Sequence, residues 1–535
     1  MSAPETGGTD ESISAMSHPV MNSPVPEAAM PTTIWVEIGD LVQYFEDGLR
    51  PSGIQRVTFE ICRALHRADA GAGRVRFVRR SGPRQLETVS WPQIEQAFGR
   101  ITAKVPVTAG AARRGMEPAV LAVGPGQEAE PDVRALLASG LRLQGAVLRS
   151  LLRLPAVAGA EALDLTRRRL RRRQLAGKTA SQLRFEAGVP LQQVARPGDS
   201  LLVLGSPWFI NDYAQTVRWL RDDLRMRFAL LIHDLIPIRR PEWCDRGVII
   251  SFIAWHRGVL PLADQIFANS RATAGDVTRW VREIGLDLPR PVRAVPMGTG
   301  LGVARAPADQ SGDVQAVATP TGATPTGATP AGVAPPEAAT GPSDLPRPGS
   351  YVLFVSTLEA RKNHALLFRV WRRLLDEMPR EQVPTLVFAG RVGWLVADLM
   401  QQLENAEWLG GKIRLIRDPS DEELLALYRG CRFTLYPSFY EGWGLPVSES
   451  LALGRPCIAS DRTSLPEAGG ALARYFDPDD LDDACARIRA VIEDPAGLEA
   501  WRERIAREFR HVPWSDSADA IRDAMDRLDA EEAGP

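Results

Sequence analysis

The stretch Tyr436-Pro-Ser-Phe-Tyr-Glu-Gly-Trp-Gly-Leu-Pro-Val-Ser-Glu-Ser450 decides how the rest of the chain is read. The apolar run 431–436 that leads into it has the length and composition of a buried strand. Gly442 and Gly444 follow, then Leu445 and Pro446. Proline suits the first turn of a helix, because the N–H it lacks would find no partner there. The helix is predicted over 447–453 and ends at Gly454, a residue suited to the C-terminal cap. Strand, glycine loop and helix in this order leave free N–H groups at the helix start, with the helix dipole behind them, which favours an anion. The two glycines let a ligand approach the backbone closely. Glu441 in the loop and Glu449 in the first turn flank the spot, with seven residues between them. A carboxylate repels phosphate but accepts hydrogen bonds from hydroxyls. A ligand with phosphates in its middle and hydroxyl-bearing rings at both ends satisfies both demands, and a sugar nucleotide has that form. Spacing alone leaves a plainer reading open, with Glu449 an ordinary first-turn acid and Glu441 a solvated loop residue.

At 535 residues the chain has room for about two to four domains. A hydrophobic content of 44% supplies globular cores, and a formal net charge of −2 points to no class of partner. The five cysteines are scattered with no Cys-x-x-Cys, so free thiols in a reducing, cytosolic setting are expected. No signal peptide is visible in the first 30 residues, and no apolar run reaches the ~18–20 residues of a membrane span. Residues 1–31 are rich in Ser, Pro, Gly and Glu and read as a disordered tail. Strand and helix patterns alternate over 32–303, beginning with a strand at 33–38, a loop at 39–53 and a helix at 54–66. Residues 100–190 interrupt the alternation as a helical insertion, with leucines and arginines interleaved over 141–154 and the basic run Arg167-Arg-Arg-Leu-Arg-Arg-Arg173. Residues 304–347 carry a near-repeat in Ala, Thr, Pro and Gly that buries too little apolar surface to order itself, and read as a linker. Alternation resumes over 348–535 and ends in a helix at about 515–531. Strands alternating with helices of this length argue for doubly wound parallel sheets in both halves.

In such sheets ligands bind beyond the carboxyl ends of the strands. Ser356-Thr-Leu-Glu-Ala-Arg-Lys-Asn363 follows the first strand of the second half, which places Arg361 and Lys362 to neutralise a diphosphate, unless they are a solvated helix start. His233 ends a strand of the first half, where a lone histidine is more often structural than reactive.

The 436–450 stretch resembles the Glu-x7-Glu motif of the family-4 retaining glycosyltransferases, followed by Gly-(aromatic)-Gly-Leu-Pro. The likeness runs from 351 to about 478. It implies the GT-B fold, two Rossmann-like domains facing across a cleft. It implies that Arg361 and Lys362 bind the donor diphosphate, that Glu449 holds the ribose hydroxyls and that Glu441 holds the hydroxyls of the donor sugar. The N–H groups of Gly444 and Leu445 would meet sugar or phosphate, and Gly442 belongs to the same loop. Gly390 and Arg391 resemble a segment near the nucleotide, and His233-Asp234 the family's His-Asp near the donor sugar. Gly53 and Arg56 fall in a stretch similar to the loop used near acceptor and phosphate, although the usual double glycine is reduced to one; in the separate run 356–363, Ser356 stands where the family commonly has glycine. Residues 463–470 resemble the Ser-Leu-Pro-Glu-x-x-Gly stretch, structural around the cleft, with Glu467 an extra candidate. The family works by front-face transfer and generally without bound metal, so neither metal nor cofactor is expected. Ile38-Gly-Asp-Leu-Val and Ser52-Gly-Ile-Gln-Arg-Val are similar to a mannosyltransferase subset, which favours GDP-mannose, with UDP-sugars next. The implied product is a cell-surface polysaccharide or lipopolysaccharide, built on a glycan or lipid-linked acceptor. An epimerase on the same plan, or a scaffold without chemistry, stands as the alternative.

Two motifs mislead. Gly298-Thr-Gly-Leu-Gly302 mimics part of a dinucleotide fingerprint, but no helix follows it. Asp477-Pro-Asp479 and Asp480-Leu-Asp482 mimic a metal-binding pair at a helix start, where capping acids are ordinary. The arginines of 141–173 have no interleaved aromatic residues, so nucleic-acid binding is not expected. They form either a solvated face or a basic surface that contacts anionic membrane from the cytoplasmic side. Liposome flotation decides between these: a membrane-contacting surface makes the full chain float with anionic vesicles and lose this on deletion of 167–173, and a solvated face leaves it unbound. Equal flotation after deletion removes the basic run from the account.

Overall fold

The computed structural model describes residues 32–46, 53–82, 84–102, 185–210, 212–299 and 345–533. The expected tail at 1–31, nearly all of the expected linker and most of the expected insertion lie outside these residues. The first domain is a seven-stranded sheet made of β1 (Ile34–Glu37), β2 (Val75–Gly82), β3 (Gln85–Val89), β4 (Ser200–Val203), β5 (Arg227–Ile232), β6 (Gln265–Ala268) and β7 (Arg293–Ala294). Its order is β3-β2-β1-β4-β5-β6-β7. All pairs are parallel except β2 with β3. The second domain holds β8 (Tyr351–Val355), β9 (Thr385–Ala389), β10 (Ile413–Ile416), β11 (Thr434–Tyr436), β12 (Cys457–Ser460) and β13 (Arg474–Phe476). Their order is β10-β9-β8-β11-β12-β13, parallel throughout.

The central strands, such as β5 and β8, read as near-continuous apolar runs, as strands buried on both faces do. All six residues of β5 are buried. Period-two alternation sends Val36, Leu202, Leu231 and Phe267 to one face of the first sheet, against the helix Gly53–Asp69. Trp35, Leu201, Phe228 and Ile266 go to the other, under the helices Tyr213–Asp222 and Arg246–Val259. Strand order reverses between β1 and β4 in one sheet and between β8 and β11 in the other, which opens a crevice at each carboxyl edge. The loops after β5 and β6 touch the loops after β11 and β12, so the two carboxyl edges face each other. This is the two-domain plan that the resemblance implies.

Two local expectations need correction. Residues 39–53 are expected as a loop, yet Gly39–Glu46 is helical, its first N–H held by the Glu37 carboxylate at 2.8 Å. The last helix, grouped by sequence with the second domain, spans Trp514–Ala533 and packs on the first. Ala518, Ile521, Ala524, Met525 and Leu528 join the core around Ile61 and Leu65. Arg74, Arg227 and Arg290 bind its Asp526, Asp529 and Glu531. The Trp514 ring occupies the space a Cβ at residue 298 would need, which gives Gly298 of the discounted fingerprint its reason. Where the chain crosses back, the Thr299 N–H donates to the Val512 carbonyl at 2.9 Å, and the Val512 N–H to Thr299 Oγ1 at 3.2 Å. All five cysteines are unpaired and four are buried. Among the described residues no helix is long and apolar enough to cross a membrane.

Ile521 is fully buried in the first domain's core. Truncating such a side chain costs about 2–5 kcal/mol. Ile521→Ala is therefore expected to lower the denaturation midpoint followed through Trp35 and its neighbours. An unchanged midpoint would mean that the last helix does not dock there.

Candidate active site

The candidate site is assembled at the switch point of the second sheet. After β8 the chain makes one tight turn, Ala360–Lys362, and then passes through Asn363, whose φ of 59° is left-handed, into the helix His364–Glu377. Asparagine tolerates that conformation better than most residues, and its side chain donates to the Pro478 carbonyl at 3.0 Å. The turn aims Arg361 and Lys362 at the loop after β11. Lys362 Nζ donates to Glu441 Oε1 at 2.6 Å and to the Tyr436 hydroxyl at 3.0 Å. Arg361 Nη1 donates to Glu441 Oε2 at 2.8 Å and to the Tyr440 carbonyl at 2.7 Å, while its Nη2 pairs with Glu359.

Glu441 is 7% exposed. Burial alone would raise its carboxyl, but Arg361 and Lys362 outweigh burial and hold it down to about 2. The Lys362 amine is lowered by burial and by the Arg361 charge beside it, with Glu441 opposing. Glu441, Arg361 and Lys362 meet as their strand-end positions imply, with the carboxylate bound to both cations. Glu359 and Tyr436 are site residues that the motifs do not single out, although Glu359 stands two residues before Arg361 in the same strand-end loop.

Glu449 lies in the helix Leu445–Ala452, is 5% exposed and accepts from the Tyr428 hydroxyl at 3.0 Å. Burial raises its carboxyl, and Arg56 and Tyr428 oppose the shift. Arg56 comes from the first domain and pairs across the boundary with Asp421 at 2.9 Å. Burial disfavours its charge, yet Asp421 and Glu449 hold its pKa above the ordinary value. Gly53 starts the same helix as Arg56, and a Cβ there would make ordinary contact with Leu445 at 3.7 Å. Gly53, Arg56, Leu445 and Glu449 are thus one neighbourhood.

The glycines answer to the protein itself. A Cβ on Gly442 would overlap the His233 carbonyl oxygen of the first domain. Gly444 has φ of 105° at the helix start, and a Cβ there would meet Leu465 at 2.6 Å. A Cβ on Gly390 would overlap the Ser356 carbonyl, and the Arg391 carbonyl accepts from the Leu358 N–H at 2.8 Å. The expectation that Gly442 makes room for a ligand is replaced, in this structure, by room for the first domain. His233 is 7% exposed, and its Nε2 donates to the Leu204 carbonyl at 2.8 Å, which puts the proton on Nε2. Burial pushes the ring down to about 4, so it is neutral.

The first sheet's switch point has the opposite electrostatics. Burial pushes the Glu37 carboxyl up to about 8, and the neighbouring Asp40 adds to the rise. Burial takes Asp40 to about 6, against N–H bonds from Ser206 at 3.2 Å and Leu41 at 2.8 Å.

Residues 340–508 match the family model of the glycosyl transferases group 1. The chain is similar to the O-antigen chain mannosyltransferase B of Escherichia coli, 38% identical over 29% of this chain and 38% of that one. It is also similar to the serotype-specific mannosyltransferase WbdA of Escherichia coli, 28% identical over 55% of this chain and 33% of that one. The matched stretches therefore span little more than a third of these relatives' lengths. A solved alpha,alpha-trehalose-phosphate synthase (UDP-forming) from Burkholderia vietnamiensis superposes with a TM-score of 0.45 at 14% identity, over 63% of this chain and 76% of that one. That fit is too loose to bear on function.

Removing one member of a buried ion pair costs about 3–5 kcal/mol, so Glu441→Gln is expected to lower stability at pH 7 by that order. The sign with pH follows from the depressed carboxyl. The wild-type contribution is fully present above the ordinary value of 4.5 and is lost as pH falls toward 2. Urea midpoints of wild type and variant should therefore converge between pH 5 and about pH 2.5. Parallel curves would show that the pair adds nothing to stability.

Proposed function

We propose that this chain, whose residues 340–508 match the family model of the glycosyl transferases group 1, is a retaining hexosyltransferase. It moves a sugar from a nucleotide-sugar donor, GDP-mannose or a UDP-sugar, to a glycan or lipid-linked acceptor in surface polysaccharide synthesis. The observation that carries this reading is the meeting of Arg361 and Lys362 with Glu441 at the second sheet's switch point. Two cations held there by a buried carboxylate suit a diphosphate leaving group, whose charge grows as the sugar departs. The bond from the anomeric carbon to the diphosphate oxygen breaks. The acceptor hydroxyl oxygen bonds to the same face of that carbon, and its proton passes to a diphosphate oxygen. The protein's work is then to hold donor and acceptor in register and to stabilise the diphosphate.

In this reading Glu441 keeps the two cations aimed and spends its remaining lone pairs on the donor sugar. Glu449 takes the ribose hydroxyls, and Arg56 and Gly53 border them from the acceptor side. Gly390 and Arg391 lie toward the nucleotide. No resident metal or cofactor is assigned. Mannosyl transfer is favoured by the two Escherichia coli relatives, both named as mannosyltransferases. Contact of the basic run 167–173 with anionic membrane belongs to the same proposal.

A thermal-shift panel with UDP, GDP, ADP and their common sugars tests it on wild type and Glu449→Ala. A ligand at about 100 times its Kd stabilises the folded state by about 2.7 kcal/mol. One base class is expected to raise the wild-type midpoint and leave the variant unmoved. A panel in which no nucleotide shifts wild type overturns the reading.

A further inference from the structure

The helix Arg271–Glu283 belongs to the first domain, yet three groups of the second bind it. Glu467 Oε2 accepts from the Arg271 N–H at 2.9 Å and Oε1 from the Ala272 N–H at 2.8 Å. Thr273 Oγ1 donates to the Gly442 carbonyl at 3.3 Å, and the Tyr440 hydroxyl donates to Asp276. The first N–H groups of a helix lack intrahelical partners. Here Ser270 Oγ takes the Thr273 N–H at 2.9 Å and the Ser270 carbonyl takes that of Ala274. The two N–H groups left over donate to the Glu467 carboxylate of the other domain.

The chain around Glu467 also fixes the backbone of Glu441. The Glu441 N–H donates to Thr463 Oγ1 at 3.0 Å. Ser464 Oγ donates to the Glu441 carbonyl at 3.0 Å and to the Trp443 carbonyl at 2.8 Å. Thr463 has φ of 52°, a conformation that a β-branched residue keeps only when its surroundings hold it. The short stretch 463–467 thus grips the first domain at one end and the Glu441 loop at the other.

We propose that Glu467 is a positioning residue. It is the latch through which the seating of the first domain sets the backbone of Glu441, and through Glu441 the aim of Arg361 and Lys362. The latch is reversible by its chemistry. It joins a partly exposed carboxylate to N–H groups at a helix end, all of which water solvates when the domains part, whereas a core contact has no such substitute. Arg271, itself exposed, stands 3.3 Å from the same carboxylate. The contact stands without the transferase reading; only its consequence for turnover rests on that reading.

Amide hydrogen exchange on the full chain, with no nucleotide added, tests the latch in Glu467→Ala and in the isosteric Glu467→Gln. Exchange is expected to quicken about tenfold at the Arg271 and Ala272 amides and, in the same variants, at the Glu441 amide. Faster exchange at 271 and 272 alone would make Glu467 a helix cap and nothing more. No change at either place would show that the contact is not formed. With the donor found by the nucleotide panel, Glu467→Gln should lower kcat about tenfold while the unfolding midpoint stays near that of wild type. If no nucleotide binds, the transferase reading fails and the exchange result still decides the latch.

Discussion

Two cations placed side by side on one tight turn cannot be buried without counter-charge, and the second domain is arranged around meeting that demand. Arg361 and Lys362 are adjacent, and each ends at a different oxygen of Glu441, with Glu359 taking the other arm of the guanidinium. The two loops involved come from β8 and β11, strands far apart in sequence and neighbours in the sheet. Strand order thus decides that the charges meet, and their meeting in turn ties down the Glu441 loop. The neutralised cluster is strong where it is dry and complete, and costly if any member is removed.

At the first sheet's switch point burial outweighs the one cation, Arg80, that acts on Glu37. Glu37 and Asp40 are as deeply buried as Glu441, but burial wins there and lifts both carboxyls. One crevice therefore holds a carboxylate pinned in its charged form by two cations, and the other holds two carboxyls that burial lifts.

Much of this was legible in the sequence. The alternation of strands and helices in both halves was readable because a sheet covered on both faces demands apolar strands such as β8 (Tyr351–Val355). Glu441, Arg361 and Lys362 could be placed together because each follows a strand end. Their mutual pairing could not, since charge in a sequence carries no distance. Tyr428 and Asp421 were missed because they reach Glu449 and Arg56 from a helix with no motif of its own. A glycine shows that room is needed but not who uses it: at Gly442 the user is the His233 carbonyl of another domain. The last helix displays an apolar face, and pattern alone cannot say which domain that face covers.

The return of that helix alters what connects the domains. The chain leaves the first domain after Thr299 and re-enters it at Val512, and the two passages are hydrogen-bonded to one another. Both covalent connections between the domains therefore pass through one hydrogen-bonded crossing. The two facing edges are tethered within one molecule, and each meets the other at high effective concentration.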